Sequence, residues 1–360
     1  MQEKREFHIT VLDSLTEQVH GKQKEKSYLY KKIKGKCNFI QGDIRDMETV
    51  IEAIKDQEYI IHLAAETGTG QSMYEVNRYN EVNIMGTSNL LQAMLKKKEK
   101  VKKVILASSR SVYGEGKYEC KRDGYVYPKG RKIDLMKQGD FSLYCPICGD
   151  RITAVPTTEN SDIKPQSLYG FTKYSQENLV ELMCKSLKID YSILRLQNVY
   201  GIGQSLNNPY TGILSIFSVL LRKNKKINIF EDGNESRDFI NVIDVAGAFI
   251  KVLKEEKTNF EILNIGSGEG KTVMEIAKML KKLYSSKSEI QVTGDFRVGD
   301  IAHNIADISK ANKMIQFFPV VTLEKGLENF CKWVSSQNIE NDSYENSIEE
   351  MKQVGMLIRG

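Results

Sequence analysis

The chain has no long hydrophobic run. Its longest apolar candidate, Gly212 to Leu221, is too short to cross a bilayer, and the opening Met-Gln-Glu-Lys-Arg-Glu lacks the apolar core of an export signal. A cytoplasmic protein with no membrane partner is therefore expected. Net charge is also small, +5 over 360 residues, and no stripe of interleaved aromatic and basic residues is present. Both argue against a nucleic-acid partner. The lysine-rich run from Lys96 to Lys103 reads instead as the end of a helix, where peptide dipoles favour cations. Internal repeats and low-complexity segments are missing, which argues against a solenoid or a largely disordered chain. Six cysteines in a cytoplasmic chain are read as thiols or metal ligands and not as a disulfide scaffold.

What is present suits a large core, with 41% hydrophobic residues. Short aliphatic runs alternate with helical periodicities. Strands are predicted over His8 to Leu12, Tyr59 to Leu63, Val104 to Ala107 and Tyr191 to Leu196, and helices over Met47 to Ile54, Val82 to Leu95 and Tyr169 to Lys185. That alternation belongs to an α/β fold with a doubly wound parallel sheet. After Gly201 the pattern loosens, with helices predicted over Ile213 to Leu221 and Val273 to Leu283. The last stretch, Ser335 to Gly360, is polar with one amphipathic helix pattern and no assignable function.

The chemistry-bearing pair is Tyr169 and Lys173, one helical turn apart in Ser-Leu-Tyr-Gly-Phe-Thr-Lys (167 to 173). Positions i and i+4 share a helix face, so the ammonium is expected to favour an ionised phenol. A free phenol has a pKa of roughly 10, too high for efficient proton abstraction at neutral pH. Ser109, in Ala-Ser-Ser-Arg-Ser-Val-Tyr-Gly (107 to 114), could hydrogen-bond the same substrate hydroxyl. So short a pattern also occurs on ordinary exposed helix faces, and its weight comes from context.

That context is a series of segments in order: Leu-Asp-Ser-Leu (12 to 15), Gly-Asp-Ile-Arg-Asp (42 to 46), His-Leu-Ala-Ala (62 to 65), Asn-Ile-Met-Gly-Thr (83 to 87), the serine segment, the tyrosine segment, Leu-Arg-Leu-Gln-Asn-Val-Tyr-Gly (194 to 201), Ser-Arg-Asp-Phe-Ile (236 to 240) and Arg-Val-Gly-Asp (297 to 300). Together they resemble the extended short-chain dehydrogenases, specifically the NAD-dependent nucleotide-sugar epimerases and dehydratases. The resemblance implies a Rossmann-like NAD-binding domain over 1–203 and 236–267, with an insert at 115–158. It implies a smaller, interleaved substrate lobe over 204–235 and 268–340, a tail at 341–360, and a homodimer. It also implies Ser109, Tyr169 and Lys173 as catalytic. Asp13, Asp43, Ile44, Ala64, Ala65, Asn83 and Lys173 would bind NAD. Asn198, Arg237 and Arg297 would bind the diphosphate of a nucleotide sugar, where arginine's charged fork suits paired oxygens. Each has a blander reading: Asp13 could be a helix N-cap, and a lone arginine is usually a solvated surface residue.

Within this resemblance the glycine-rich phosphate turn is missing. Only twelve residues precede Asp13, and none is glycine. The first strand of the fold, central in its sheet, would be absent too. Unpaired strand edges and weak NAD binding by the chain as given are the expectations, and an inactive, truncated epimerase-fold protein is the corresponding alternative. The loop Asn-Ile-Gly-Ser-Gly-Glu-Gly (264 to 270) is a poor substitute, because no partner acid follows at the right distance.

Dehydratases of the family place an Asp-Glu pair after the hydroxyl residue that Ser109 matches, whereas this chain has Arg110 and Ser111. Epimerisation at C4 through a transient 4-keto sugar is therefore implied, with other nucleotide-sugar epimerases, reductases or dehydratases, including the UDP-hexose 4-epimerase type, as alternatives. The insert carries Cys120-Lys-Arg-Asp123 and Cys145-Pro-Ile-Cys148-Gly149, spaced like a zinc knuckle. Structural zinc on Cys120, Cys145 and Cys148, reduced thiols and a redox pair are the three readings, and the fourth zinc ligand is open. With Gln-Ser-Leu-Asn-Asn-Pro-Tyr-Thr-Gly (204 to 212) and Glu-Asp-Gly-Asn-Glu-Ser-Arg-Asp-Phe (231 to 239), the insert resembles the dTDP-L-rhamnose 4-epimerase subgroup, which implies a role in polysaccharide biosynthesis.

Overall fold

The computed structural model describes residues 7–96, 101–210, 212–339 and 344–360. Two short parallel strands, β1 (Thr10–Asp13) and β2 (Asn38–Gln41), pair among the described residues with each other alone. Four more, β3 (Tyr59–His62), β4 (Lys103–Ser109), β5 (Asp190–Leu196) and β6 (Glu261–Ile265), form a parallel sheet in the order β6-β5-β4-β3. The strand β4 is buried along its whole length, as a strand covered on both faces must be. Its side chains alternate: Val104 and Leu106 face one helical layer, and Ile105 and Ala107 face the other.

The first layer contains α1 (Met47–Ile54), α2 (Gly86–Lys96) and α3 (Leu168–Leu187), which bury Val50, Leu90, Leu91 and Val180 against the sheet. On the opposite face α4 (Val242–Lys254) buries Val245, Ala248 and Val252 against Leu194 and Leu263. This is the Rossmann-like, doubly wound arrangement that the alternation predicts. Local signals set the helix ends: Asp46 caps α1 by accepting from Glu48 N, and Ser167 caps α3 by accepting from Gly170 N.

A second core packs Leu214, Phe217 and Leu220 of helix Ile213–Arg222 against Ile276 and Leu280 of Val273–Leu283 and Leu327 and Phe330 of Leu323–Ser335. Strand Ser236–Asn241 runs alongside Asn198–Tyr200 in parallel and Gly270–Thr272 in antiparallel register. The insert forms a small antiparallel sheet from Tyr118–Cys120, Gly124–Val126 and Thr153–Ala154. The polar stretch after Ser335 contains helix Tyr344–Gln353 and a strand, Leu357–Ile358, that pairs antiparallel with Phe296–Arg297.

Two details differ from the sequence reading, and the unpaired strand edges it expects are present. The helix expected from Val82 begins as a π-helical turn, Asn80–Met85, and becomes regular at Gly86. In the lysine run, residues 97–100 lie outside the described residues, and buried Lys103 serves the end of another helix, donating to Val252 O at 2.8 Å in α4. Among the described residues β1 and β3 each have one unpaired edge, and Ile9, Tyr59, Ile61 and Leu63 are exposed. No described helix is long and apolar enough to cross a membrane.

Candidate active site

Ser109, Leu196 and Ile265 are register partners at the carboxyl ends of β4, β5 and β6. In an open parallel sheet that edge is where ligands bind. Asp13 ends β1, Asp43 and Ile44 follow β2, Ala64 and Ala65 follow β3, and Asn198 follows β5. These sequence-predicted residues thus sit at or just after the carboxyl ends of strands, those of β1 and β2 on a sheet separate from β3 to β6.

Ser109 stops β4 and caps the following 3-10 turn, its Oγ accepting from Ser111 N at 3.1 Å. Tyr169 is the second residue of α3; its backbone N–H donates to Ser72 Oγ at 3.0 Å, and its ring meets the edge of Tyr79. The phenol is half-buried. Burial raises its pKa above the ordinary value, opposed by hydrogen bonding with Ser109 and by the Arg110 guanidinium. The expectation that Lys173 would lower it is not met. Lys173 points into the protein, where its Nζ donates to Gln176 Oε1 at 2.8 Å, and burial lowers its own pKa to about 7.

Beneath this pair runs a buried polar chain. Gln176 Nε2 reaches Thr87 Oγ1 at 2.7 Å, and His62 Nε2 meets the same hydroxyl at 2.9 Å. Burial, then the charge of Lys173, lowers the His62 pKa to about 3, so the ring is neutral. Asn83 holds the loop after β3, accepting from Glu66 N at 2.7 Å and donating to Glu66 O at 3.1 Å and Thr172 Oγ1 at 2.9 Å. Arg195 clamps Glu177 of α3 with two bonds, of 2.9 and 2.7 Å.

The cofactor-side residues are arranged less tightly. Asp13 is exposed and accepts from Leu15 N at 2.7 Å; the helix after it begins at Glu17 with Thr16 as N-cap, so Asp13 shapes a turn and caps no helix. Asp43 is paired with Arg45 at 2.8 Å and lines an open cleft with Arg45, Asp46, Glu81 and Met85, while Ile44 is buried in the core. Ala64 is exposed and Ala65 half-buried. The glycine loop 264–270 is committed elsewhere: Asp238 accepts from Ser267 N, Gly268 N and Ala306 N at 2.7, 3.0 and 3.2 Å. Its amides already hold an anion, the protein's own.

Beside Ser109 and Tyr169 lies an arginine-rich basin. Asp300 accepts from Arg237 Nη2 at 3.1 Å and Arg297 Nη2 at 2.8 Å, and its carbonyl accepts from Arg131 Nη2 at 2.9 Å. Burial alone would raise the Asp300 pKa, but Arg297, Arg237, Arg131 and Arg110 hold it well below the ordinary carboxylate range. Arg110 Nε donates to Asn198 Oδ1 at 2.8 Å, while its Nη1 is buried without a partner. Burial raises Glu115 to about 7, opposed by Arg131, and raises Glu235 to about 8, reinforced by Glu231. Burial thus shifts Glu115 and Glu235 toward their neutral forms, and four guanidiniums face the remaining anions. The basin suits an anionic ligand.

Arg110 and Arg131 were not singled out as site residues by sequence. Arg110 had a signal, since it adjoins Ser109 at a strand end. Arg131 had none, lying in an insert with no periodicity.

Glu235 gives a stability prediction. Below its ordinary value of 4.5 the folded and unfolded chains both hold its proton; between 4.5 and about 8 only the folded chain does, so stability falls as pH rises through that window. Glu235→Gln should match the unaltered protein near pH 5 and exceed it by about 1–3 kcal/mol near pH 9, read as Tm by calorimetry. Identical pH dependence in both proteins would show that Glu235 is ionised in the fold.

Residues 1–129 and 145–266 match the NAD dependent epimerase/dehydratase family. The chain belongs to this family. It is 37% identical over 339 residues to the dTDP-L-rhamnose 4-epimerase of Burkholderia thailandensis, covering 92% of this chain and 90% of that one. It is 30% identical over 335 residues to a putative UDP-glucose 4-epimerase of Methanocaldococcus jannaschii, covering 92% of each. Among solved structures, the UDP-glucuronic acid 4-epimerase of Bacillus cereus, in complex with UDP-glucuronic acid and NAD, superimposes with a TM-score of 0.75 at 26% identity over 93% of both chains. Family members of this kind are enzymes, and so is this chain. The chain fits the family's cofactor at three positions: an exposed carboxylate at Asp13, a loop held by Asn83, and a buried ammonium at Lys173 with donors beyond its bond to Gln176. No glycine-rich turn precedes β1 among the described residues.

Proposed function

We propose that the protein is an NAD-dependent nucleotide-sugar 4-epimerase acting on a dTDP-6-deoxyhexose such as dTDP-L-rhamnose. One juxtaposition carries the reading. Ser109 and Tyr169 offer a hydroxyl and a phenol at the sheet edge, Arg110 acts on the phenol and bonds Asn198, and Asn198 borders the arginine basin. A sugar held over Tyr169 would thus have its diphosphate among Arg110, Arg237 and Arg297. The 37% identity to the Burkholderia enzyme favours a dTDP-6-deoxyhexose over a UDP-hexose.

Tyr169 takes the proton from the C4 hydroxyl and later returns one to C4 oxygen on the turned sugar. Ser109 Oγ hydrogen-bonds that oxygen and keeps it aligned. Bound NAD supplies the hydride acceptor and donor at C4, and its positive ring would join Arg110 in favouring the phenolate. Asp13 would accept from the adenosine ribose, Asp43 and Ile44 would flank the adenine, Ala64 and Ala65 would leave room for the diphosphate, and Lys173 would donate to the second ribose. Arg110 and Ser111 stand directly after Ser109, where the dehydratases of the family place an Asp-Glu pair, and this favours epimerisation over water elimination. The same reading makes the protein a cytoplasmic homodimer that serves polysaccharide synthesis.

Purified protein should convert dTDP-L-rhamnose to its C4 epimer, followed by proton NMR, without net consumption of NAD. The rate should exceed that on UDP-glucose or UDP-glucuronic acid by roughly ten-fold or more. Turnover of the UDP sugars alone would reassign the nucleotide, and loss of water from the sugar would reject epimerisation.

A further inference from the structure

One group of soft ligands lies outside this site, in the insert. Cys120 ends strand Tyr118–Cys120, and Asp123 stands in the turn before Gly124, whose φ of 71° is left-handed. Cys145 and Cys148 lie on a second turn, where Gly149 N donates to Cys145 O at 3.0 Å and Ile147 N donates to Cys145 Sγ at 3.4 Å. Gly149, at φ 81°, gives that turn its left-handed residue. The two turns meet. Cys120 Sγ is 3.5 Å from Cys148 Sγ and 3.4 Å from Asp123 Oδ2, and Cys145 Sγ is 3.2 Å from the same oxygen. All four ligand atoms lie within 4.8 Å of one another.

A disulfide does not account for this. Its sulfurs would sit about 2.05 Å apart, and three sulfurs with a carboxylate would leave one thiol over. Thiols are weak donors, so hydrogen bonding alone is a poor reason to gather three of them around one carboxylate. A tetrahedral ion with metal–sulfur bonds of about 2.3 Å sets its sulfur–sulfur edges at about 3.8 Å, close to the 3.5 Å between Cys120 Sγ and Cys148 Sγ, and the shorter sulfur–oxygen contacts match the shorter bond of a carboxylate ligand.

The geometry points to a structural zinc site formed by Cys120, Cys145, Cys148 and Asp123. Thiolates select zinc over the hard cations, and four protein ligands leave no open position for catalysis. Cys120 and Cys145 are only 2% and 4% exposed, so the site is closed on one side. The N–H of Ile147 bonds a ligand sulfur, the kind of outer contact that orients such ligands. The apolar core of the insert is small: Tyr118, Cys120, Val126, Leu143 and Cys145 packed on Ala302. The metal would tie residues 120–123 to 145–148 and close the loop that carries Arg131 into the basin. That last consequence, unlike the site itself, rests on the proposed nucleotide-sugar reading.

Metal analysis of purified, desalted protein should find about one zinc per chain, and cobalt exchanged into it should give the intense visible bands of a tetrahedral thiolate site. Absence of both in the unaltered protein would overturn the site whether or not any variant folds. A Cys145→Ser, Cys148→Ser double variant should lose the metal, and Cys37→Ser, far away in the chain, should keep it. Zinc retained by the double variant would place the metal elsewhere and reject this ligand set. Asp123→Asn should surrender zinc to a chelator at least roughly ten-fold faster than the unaltered protein; equal rates would remove Asp123 as the fourth ligand. If metal removal weakens dTDP-sugar binding, the insert does position Arg131; unchanged affinity would sever that link while leaving the zinc result intact.

Discussion

Tyr169→Phe is expected to lower kcat by roughly 10²- to 10⁴-fold while changing the nucleotide-sugar KM by less than about three-fold. The hydroxyl is lost and the ring is kept. The anchors of this residue survive the change, because its backbone N–H still donates to Ser72 Oγ and its ring still packs edge-on against Tyr79. On the proposed reading nucleotide binding would draw on Arg237 and Arg297, which are held by Asp300 and do not touch the lost oxygen. Steady-state kinetics on a dTDP-sugar, with circular dichroism to verify folding, would measure the split between kcat and KM. Turnover within a few-fold of the unaltered enzyme would mean that another group moves the proton.

The elements legible in the sequence were those with a regular period and a chemical punctuation mark. Met47–Ile54 has an apolar stripe and Asp46 as its cap, and Val273–Leu283 has a capping box on Thr272 and Glu275; both span the predicted residues. The short strand Asn38–Gln41 offers only four residues of pattern, too few to stand out from a loop. At the site, Ser109 and Tyr169 were legible because each sits beside a marker of an element end. Charges that act through space were not. Asp300 organises three arginines from segments far apart in sequence, and no spacing announces that. The role of the last residues was hidden for the same reason, since Leu357–Ile358 becomes meaningful only as the strand beside Arg297. Helical spacing puts Lys173 on the same face as Tyr169, but packing turns its ammonium inward to Gln176, and the hydrogen bond with Ser109 and then the Arg110 charge oppose the effect of burial on the phenol.

Arg110 should therefore contribute, with Ser109, to the pH dependence of the reaction. Its guanidinium lowers the Tyr169 pKa that burial has raised, and its Nη1 is buried without a partner. Arg110→Met removes the charge and approximately keeps the volume, which avoids both a cavity and an unpaired buried cation. Without that charge the phenol ionises at higher pH, so the rising limb of kcat against pH should move to higher pH. At neutral pH kcat/KM should fall by about 10- to 100-fold, and part of the loss in kcat should return as pH is raised. The KM should also rise, because Asn198 Oδ1 loses its donor and the basin loses one of its four positive charges. Arg110→Lys is the informative companion: it restores a charge but not the fork, so it should recover the position of the pH limb more fully than it recovers KM. An unmoved limb in Arg110→Met with a raised KM would confine the residue to binding. An unmoved limb and an unchanged KM together would show that a half-buried arginine beside the phenol takes no part in the reaction, and the electrostatic account of how Tyr169 becomes a base would fail with it.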